Sequence, residues 1–90
     1  DIQALKVKLG SPEGIEADQA MFEAVQEAAP NIAQISVDAN GGWTVETALK
    51  MAHWLSDRKV TYIEQPLPKG QETELTKLFY LSPLPIFVDE

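Results

Sequence analysis

A short apolar run that ends in a carboxylate occurs three times in this chain, at an almost constant interval. The three closing residues are Asp38, Glu64 and Asp89. They are separated by 26 and 25 residues, which is close to the length of one strand with the helix and loops that follow it. Because parallel neighbouring strands need long crossover connections, usually helices, this repeat predicts an α/β fold with a parallel sheet.

The intervening segments complete an alternation of strands and helices. Their apolar residues recur at the three-to-four spacing of an amphipathic helix, and Gly or Pro residues separate the segments. Thr44 is the predicted N-cap of the second helix. The predicted order is β-α-β-α-β-α-β, with strands at 4–9, 32–38, 60–64 and 86–89 and helices at 17–29, 45–59 and 71–81.

The apolar stripes also predict which face of each helix packs on the sheet. The first stripe contains Met21, Phe22, Val25, Ala28 and Ala29. The second contains Val45, Ala48, Leu49, Ala52 and Leu55. The third contains Leu75, Leu78 and Phe79.

The length of the chain sets how much of a barrel it can form. A closed α/β barrel has eight strands and typically about 250 residues, whereas four strands alone leave two open edges. We therefore predict that residues 1–90 are about half of a barrel domain; a small doubly wound sheet is the alternative. Since the chain starts at Asp1 without Met and stops at a strand end, we expect it to be a piece of something larger.

Composition excludes several classes of function. The formal net charge is −7 and no basic cluster occurs, which disfavours binding to nucleic acid. No apolar run approaches the length of a membrane span. Without cysteine there is neither a disulfide framework nor a thiolate metal site, and we expect a cytoplasmic protein. No dinucleotide or P-loop motif is present, so no organic cofactor is predicted.

The three repeated carboxylates predict a metal site. The carboxyl ends of parallel strands meet at one end of a sheet, which is where α/β barrels carry their chemistry. Asp38, Glu64 and Asp89 would repel one another there unless a cation lay between them, and oxygen ligands favour Mg²⁺. For any one of these acids, capping of the following helix is the alternative. Asn40, Gln65 and Glu90 are predicted to lie around the ligands.

Lys6 and Lys8 point to the same face of the first strand, because they are two residues apart. If that face is the inside of a barrel, one ammonium group can act in proton transfer and the other can neutralise a substrate carboxylate. The alternative is a solvated pair of lysines on an edge strand.

Four segments in this order and spacing resemble the enolase superfamily. They are LKVKLG at 5–10, VDANGGW at 37–43, IEQPLP at 63–68 and PLPIFVDE at 83–90. Within the superfamily they resemble the muconate-lactonizing-enzyme subgroup, whose second strand carries K-x-K, and most of all the dipeptide epimerases of the L-Ala-D/L-Glu epimerase type. The resemblance covers nearly the whole chain and implies strands two to five of a TIM-like (β/α)7β barrel.

The resemblance also implies roles for individual residues. Asp38, Glu64 and Asp89 would be the ligands of one Mg²⁺ at the ends of the third, fourth and fifth barrel strands. Lys8 would be the acid/base on one face of the substrate, and Lys6 would stabilise the substrate carboxylate and the enediolate. The implied reaction begins with removal of the proton α to a carboxylate, on small dipeptides, and Mg²⁺ and the lysines provide the electrostatic stabilisation that it needs.

Parts of such an enzyme are missing from these ninety residues. They are the capping domain, the remaining barrel strands and a sixth-strand lysine that works the opposite face, so we expect the chain alone to be inactive. Muconate or chloromuconate cycloisomerase, o-succinylbenzoate synthase and N-acylamino-acid racemase share the same motifs and remain alternatives. A further alternative is a non-catalytic half-barrel that pairs with another half. The expected partners are a homo-oligomer or the remainder of the parent barrel.

Overall fold

A computed structural model describes residues 4–88, so the predictions made for Asp89 and Glu90 lie outside the described residues. The elements are β1 (Ala4–Lys8), α1 (Ile15–Ala28), β2 (Gln34–Asp38), α2 (Val45–Ser56), β3 (Val60–Glu64), α3 (Glu72–Leu81) and β4 (Ile86–Phe87). Their order is the predicted one. Over this range, no helix combines the length and the apolar character that crossing a membrane requires.

The two ends of α2 show where local sequence signals succeed and fail. Thr44 is the N-cap as predicted, and its side chain accepts a hydrogen bond from the Thr47 amide at 3.1 Å. At the other end the helix stops at Ser56 instead of continuing to Lys59. Lys59 has a φ of 68°, a left-handed conformation that a right-handed helix cannot contain.

The four strands form one parallel sheet in the order β1-β2-β3-β4. Because every crossover leads to the next strand in the same direction and such crossovers are right-handed, the three helices lie on one face of the sheet. A doubly wound sheet instead needs a reversal of strand order to cover both faces. No reversal occurs between residues 4 and 88, so the doubly wound alternative is wrong and the sheet is a barrel segment.

The hydrophobic core lies between the sheet and the helices. Val7, Val37 and Ile63 point to this side from three successive strands and are buried. The helices contribute fully buried side chains, namely Phe22, Met51, Leu55 and Leu78. The strand residues that alternate with this set therefore lie on the opposite face, which the helices leave uncovered.

Three of the predicted inward positions are wrong: Ala28, at the end of α1, is exposed, and so are Met21 and Phe79. Met21 and Phe79 are 53% and 51% exposed. Each immediately precedes or follows a fully buried residue, Phe22 or Leu78. Adjacent helical residues differ by about 100° around the axis, so when Phe22 and Leu78 occupy the centre of the packed face, their neighbours lie at its margin.

Candidate active site

Lys8, Asp38 and Glu64 lie side by side at the carboxyl ends of β1, β2 and β3. The register pairs Lys8 with Asp38 and Asp38 with Glu64, and paired residues of parallel strands point to the same face. With neighbouring strands about 4.8 Å apart, three charged side chains project from a small area of the uncovered face. This row unites the residue predicted as acid/base with two of the predicted metal ligands. Asp89, predicted as the third ligand, lies outside the described residues.

A register shift between β2 and β3 places Glu64 beside Asp38. The paired residues around it are Ile35 with Val60 and Val37 with Ile63. β3 therefore contains one residue more than β2 between these pairs. Without it, Asp38 would pair with Ile63 and Glu64 would turn to the helix-covered face. β-bulges are common beside active sites for this reason, since they re-aim a side chain.

Lys6 reaches across β2 to Glu64. Its Nζ lies 2.5 Å from Glu64 Oε1, and the two side chains are 42% and 25% exposed. The hydrogen bond to Glu64, with smaller contributions from the charges of Glu64, Tyr62 and Asp38, raises the pKa of Lys6, although burial acts in the opposite direction. The Lys6 amine is therefore held as an ammonium ion, a state suited to neutralising an anion rather than to removing a proton.

The carboxylate of Asp38 is oriented by its own loop. Its Oδ1 accepts a hydrogen bond from the Asn40 amide at 2.9 Å. Asn40 has a φ of 54°, a left-handed conformation that Asn tolerates better than most residues. The Asp38 carbonyl meanwhile accepts from the Leu9 amide at 2.8 Å, so both ends of this residue are fixed. The role of Asn40 seen here is a backbone one.

Backbone hydrogen bonds continue the ladder beyond the ends of β2 and β3. Those bonds run from Ala39 N to Glu64 O at 3.0 Å, from Gly41 N to Gln65 O at 2.6 Å and from Trp43 N to Pro66 O at 3.0 Å. Gln65 has a φ of 48°, and such a conformation costs a non-glycine residue roughly 1–3 kcal/mol. Strain of this size is typical of positions next to functional groups, and here it directly follows Glu64.

Asp18, on α1, is the residue near this row that the sequence reasoning missed. It is buried and accepts hydrogen bonds from the loops that follow β1 and β2. A signal was present, because Asp18 lies four residues before Phe22 and so falls on the apolar stripe of its helix. A carboxylate on such a stripe needs polar partners from elsewhere in the fold.

The donor set fits a hard divalent cation as far as the described residues extend. Asp38 and Glu64 offer carboxylate oxygens on neighbouring strands, the ligands that Mg²⁺ prefers. Over residues 4–88 no group of three or more His, Cys, Asp or Glu side chains is placed to hold a metal.

Comparison with known sequences gives consistent matches over the whole chain. A family model described as "Enolase C-terminal domain-like" matches residues 1–90. Hydrophobic dipeptide epimerases from Flavobacteria bacterium (strain MS024-2A) and Roseobacter litoralis are 58% and 60% identical over 99% and 98% of this chain. An L-Ala-D/L-Glu epimerase from Bacteroides thetaiotaomicron is 41% identical over 96% of the chain. The chain spans only 26%, 26% and 21% of these relatives, about a quarter of their length.

Solved structures share the fold. A dipeptide epimerase from Enterococcus faecalis V583 superposes with a TM-score of 0.83 at 31% identity, covering 96% of this chain and 24% of that protein. A dipeptide epimerase from Cytophaga hutchinsonii, complexed with Mg and the dipeptide D-Ala-L-Val, gives 0.82 at 28% identity over 97% of this chain and 23% of that protein.

Proposed function

This chain belongs to the enolase C-terminal domain-like family, and from that premise we propose that it is part of a Mg²⁺-dependent dipeptide epimerase. The enzyme would remove the proton α to a carboxylate and, from the resulting enediolate, add a solvent-derived proton to the other face. The row of Lys8, Asp38 and Glu64 at the carboxyl strand ends carries the proposal. It combines a candidate base with candidate metal ligands within the width of three strands.

The proposed ligands of one Mg²⁺ are Asp38, Glu64 and Asp89. When bound, Mg²⁺ would supply positive charge that offsets the charge developing on the substrate carboxylate. The chain's own contribution is to orient these oxygens: the Asn40 amide holds Asp38 Oδ1, and the register shift turns Glu64 towards it. Gln65 and Glu90 remain predicted neighbours of the ligands.

The two lysines have separate proposed tasks. Lys8, paired with Asp38 in the register, would exchange the α-proton on one face of the substrate. Lys6 would hold the substrate carboxylate, and the position of its ammonium group beside the row supports this task. The proposed group on the opposite face is the sixth-strand lysine that the resemblance implies, outside these ninety residues.

The substrate class is proposed from the relatives. Two are named hydrophobic dipeptide epimerases and one is named for L-Ala-D/L-Glu, which supports a small dipeptide. Relatives named o-succinylbenzoate synthase and muconate cycloisomerase also match, at 38% and 32% identity, so these reactions remain the second candidates. A cytoplasmic location and a homo-oligomeric state stay predictions.

Deuterium incorporation by the full-length protein tests the function. Dipeptides of the L-Ala-L-Xaa type, with hydrophobic or acidic second residues, would be incubated in D₂O with Mg²⁺ and analysed by mass spectrometry and chiral chromatography. We expect deuterium at one α-carbon together with the epimer, and loss of both with EDTA. Turnover of muconate, an o-succinylbenzoate precursor or an N-acylamino acid, with no dipeptide exchange, would contradict the proposal.

Asp38→Asn tests the metal assignment in the same protein. The amide keeps the size of the carboxylate but removes its charge, so we expect Mg²⁺ binding to weaken by at least about tenfold and α-proton exchange to disappear. Calorimetric titration with Mg²⁺ measures the first effect. The matched control is Asp57→Asn, at the C-terminal cap of α2, which should bind Mg²⁺ normally. Unchanged affinity in Asp38→Asn would refute the ligand role.

A further inference from the structure

Asp18 joins the two loops that follow Lys8 and Asp38. Its carboxylate is only 2% exposed. Oδ1 accepts from the Gly10 and Ser11 amides, both at 3.0 Å, and Oδ2 accepts from Trp43 Nε1 at 2.9 Å. Gly10 and Ser11 follow β1, whereas Trp43 follows β2. Both oxygens of one buried group are thus used to connect two different loops.

The backbones of these loops are in direct contact. A Cβ at Gly10, whose φ is +91°, would lie 2.0 Å from the carbonyl oxygen of Ala39, and a Cβ at Gly42 would lie 2.4 Å from that of Gly10. Distances this short leave no space for a side chain at either position. The loops can therefore shift only together, provided that the carboxylate keeps them pressed against each other.

We propose that Asp18 is a positioning residue that fixes the Lys8 amine relative to the carboxylate of Asp38 by locking these two loops together. This inference rests on the proposed function, because it assigns Asp18 to the same reaction. Asp18 lies on the helix-covered side, and its hydrogen bonds run to Gly10, Ser11 and Trp43 rather than to a member of the row. It acts through Gly10 and Trp43, two and five residues beyond the groups that they position. A displacement of about 1 Å at a reacting group can cost about 100-fold in rate.

Two substitutions break the lock in different ways. In Asp18→Asn the side chain has one acceptor oxygen instead of two, so its NH₂ group must face one of the former donors. Trp43→Phe keeps an aromatic ring but removes the indole N–H together with part of a buried side chain, so it lowers stability as well. In the double variant the amide NH₂ group no longer faces the indole N–H, so two hydrogen-bond donors no longer point at each other. If the pair acts as a unit, the double variant should therefore be faster than Asp18→Asn alone.

Arg58→Gln provides a matched control at the other end of the sheet. The Arg58 guanidinium lies 3.7 Å from the centroid of the Trp54 ring and donates to the Trp54 carbonyl at 3.0 Å. It lies between α2 and β3, at the amino ends of the strands, far from the row. This variant should lower the thermal midpoint Tm without changing the rate of exchange.

The test uses the full-length protein with Mg²⁺ in D₂O. We expect Asp18→Asn to lower kcat for α-proton exchange by about 10- to 100-fold. The fall should be larger for the substrate epimer that exchanges through Lys8, while KM and Mg²⁺ affinity change little. Trp43→Phe should show the same preference in a weaker form, and the double variant should recover part of the rate.

Equal rate losses for both epimers would overturn the inference. So would a rate loss in Arg58→Gln as large as that in Asp18→Asn, when the two variants have the same Tm. Either result would mean that Asp18 only stabilises the fold. If the wild-type protein exchanges no dipeptide, the proposed function fails by itself. Amide hydrogen exchange then tests the lock: Asp18→Asn should deprotect residues 8–11 and 38–43 together and leave α3 protected. Deprotection of 8–11 alone would overturn it.

Discussion

At the scale of single residues, the contact between Lys6 and Glu64 is the most informative one in the site. It joins residues 58 positions apart in sequence. In the proposed enzyme, Glu64 and Lys6 would have to give up this contact when a metal ion and a substrate carboxylate bind. A cation at Glu64 would displace Lys6 from it, and a substrate carboxylate would give Lys6 a new partner. If Glu64 is a metal ligand and Lys6 holds the substrate, as proposed, metal and substrate binding are coupled through Lys6.

Lys6→Met tests this coupling in the full-length protein. Removing a positive charge beside a metal ligand should raise the affinity for Mg²⁺ by about fivefold in the absence of substrate, equivalent to about 1 kcal/mol, and should raise KM. Lys77→Met removes a comparable surface pair with Glu74 on α3 and should change neither quantity. Identical Mg²⁺ titrations for Lys6→Met and wild type would exclude the coupling.

Lys8→Ala tests whether Lys8 acts on only one face of the substrate. We expect exchange of the α-proton that faces Lys8 to fall by about 100- to 10,000-fold. The opposite epimer should keep exchanging its proton with solvent but should no longer be converted. Proton NMR in D₂O follows both epimers, with Lys50→Ala on the exposed side of α2 as control. Equal residual rates for the two epimers would contradict a role on one face.

At the scale of elements, the register shift between β2 and β3 decides which side chains share the row. The hydroxyl of Thr61 donates to the Ile35 carbonyl at 3.1 Å within this irregularity. That contact helps to hold the extra residue in place, and the extra residue in turn keeps Glu64 on the uncovered face. A shift of one residue in the register of β3 would turn Glu64 to the helix-covered face and remove it from the row.

Thr61→Val removes this hydrogen bond with little change of shape. We expect the free energy of unfolding to fall by about 1 kcal/mol and Mg²⁺ binding to weaken, because Glu64 is less firmly aimed. In Thr76→Val the lost bond is the one from the Thr76 hydroxyl to the Glu72 carbonyl on α3, so only stability should respond. Chemical denaturation and Mg²⁺ titration distinguish the two variants; normal metal affinity in Thr61→Val would mean that the bulge needs no such support.

Sequence reasoning brought Lys8, Asp38 and Glu64 together, because each ends a parallel strand, but it failed for contacts that no repeat or strand end marks. The element order and the Thr44 cap follow from periodicity and from residues within one turn. The lock made by Asp18 was missed because Trp43 lies 25 residues away in sequence. Met21 was predicted to be buried because the apolar residues of a helix indicate its packed face but not which of them lies at the centre of that face. The spacing of three between Val60 and Ile63, both buried, was the overlooked signal of the bulge.

At the scale of the whole molecule, these residues form a sheet with one covered and one uncovered face. The uncovered face carries the charged row and the exposed ring of Phe87, which pairs with Glu64 in the register. Tyr80 and Leu81 are exposed at the end of α3. In a closed barrel both kinds of surface are covered by further strands and helices. The chain spans only about a quarter of the length of its curated relatives, and these surfaces are ones that a complete barrel would cover.

The isolated segment of residues 1–90 should therefore associate and remain inactive. Exposed apolar surface and open strand edges favour self-association, so sedimentation at micromolar concentration should show species heavier than the 9.9 kDa monomer. Deuterium exchange of dipeptides should be absent, with the full-length protein as the positive control. A stable monomer that exchanges dipeptide protons would show that the row suffices without the remaining barrel.

The hydrogen-bond ladder that continues past β2 and β3 has a consequence for engineering. It ties residues 39–43 to residues 64–66 as tightly as paired strands, so this corner tolerates few replacements and little remodelling. If the chain is part of a dipeptide epimerase, as proposed, a library intended to change its substrate should keep these positions constant and place its diversity in segments outside this ladder. Recombination between related enzymes should likewise exchange 37–68 as one block, because a crossover inside it would separate the two halves of the ladder.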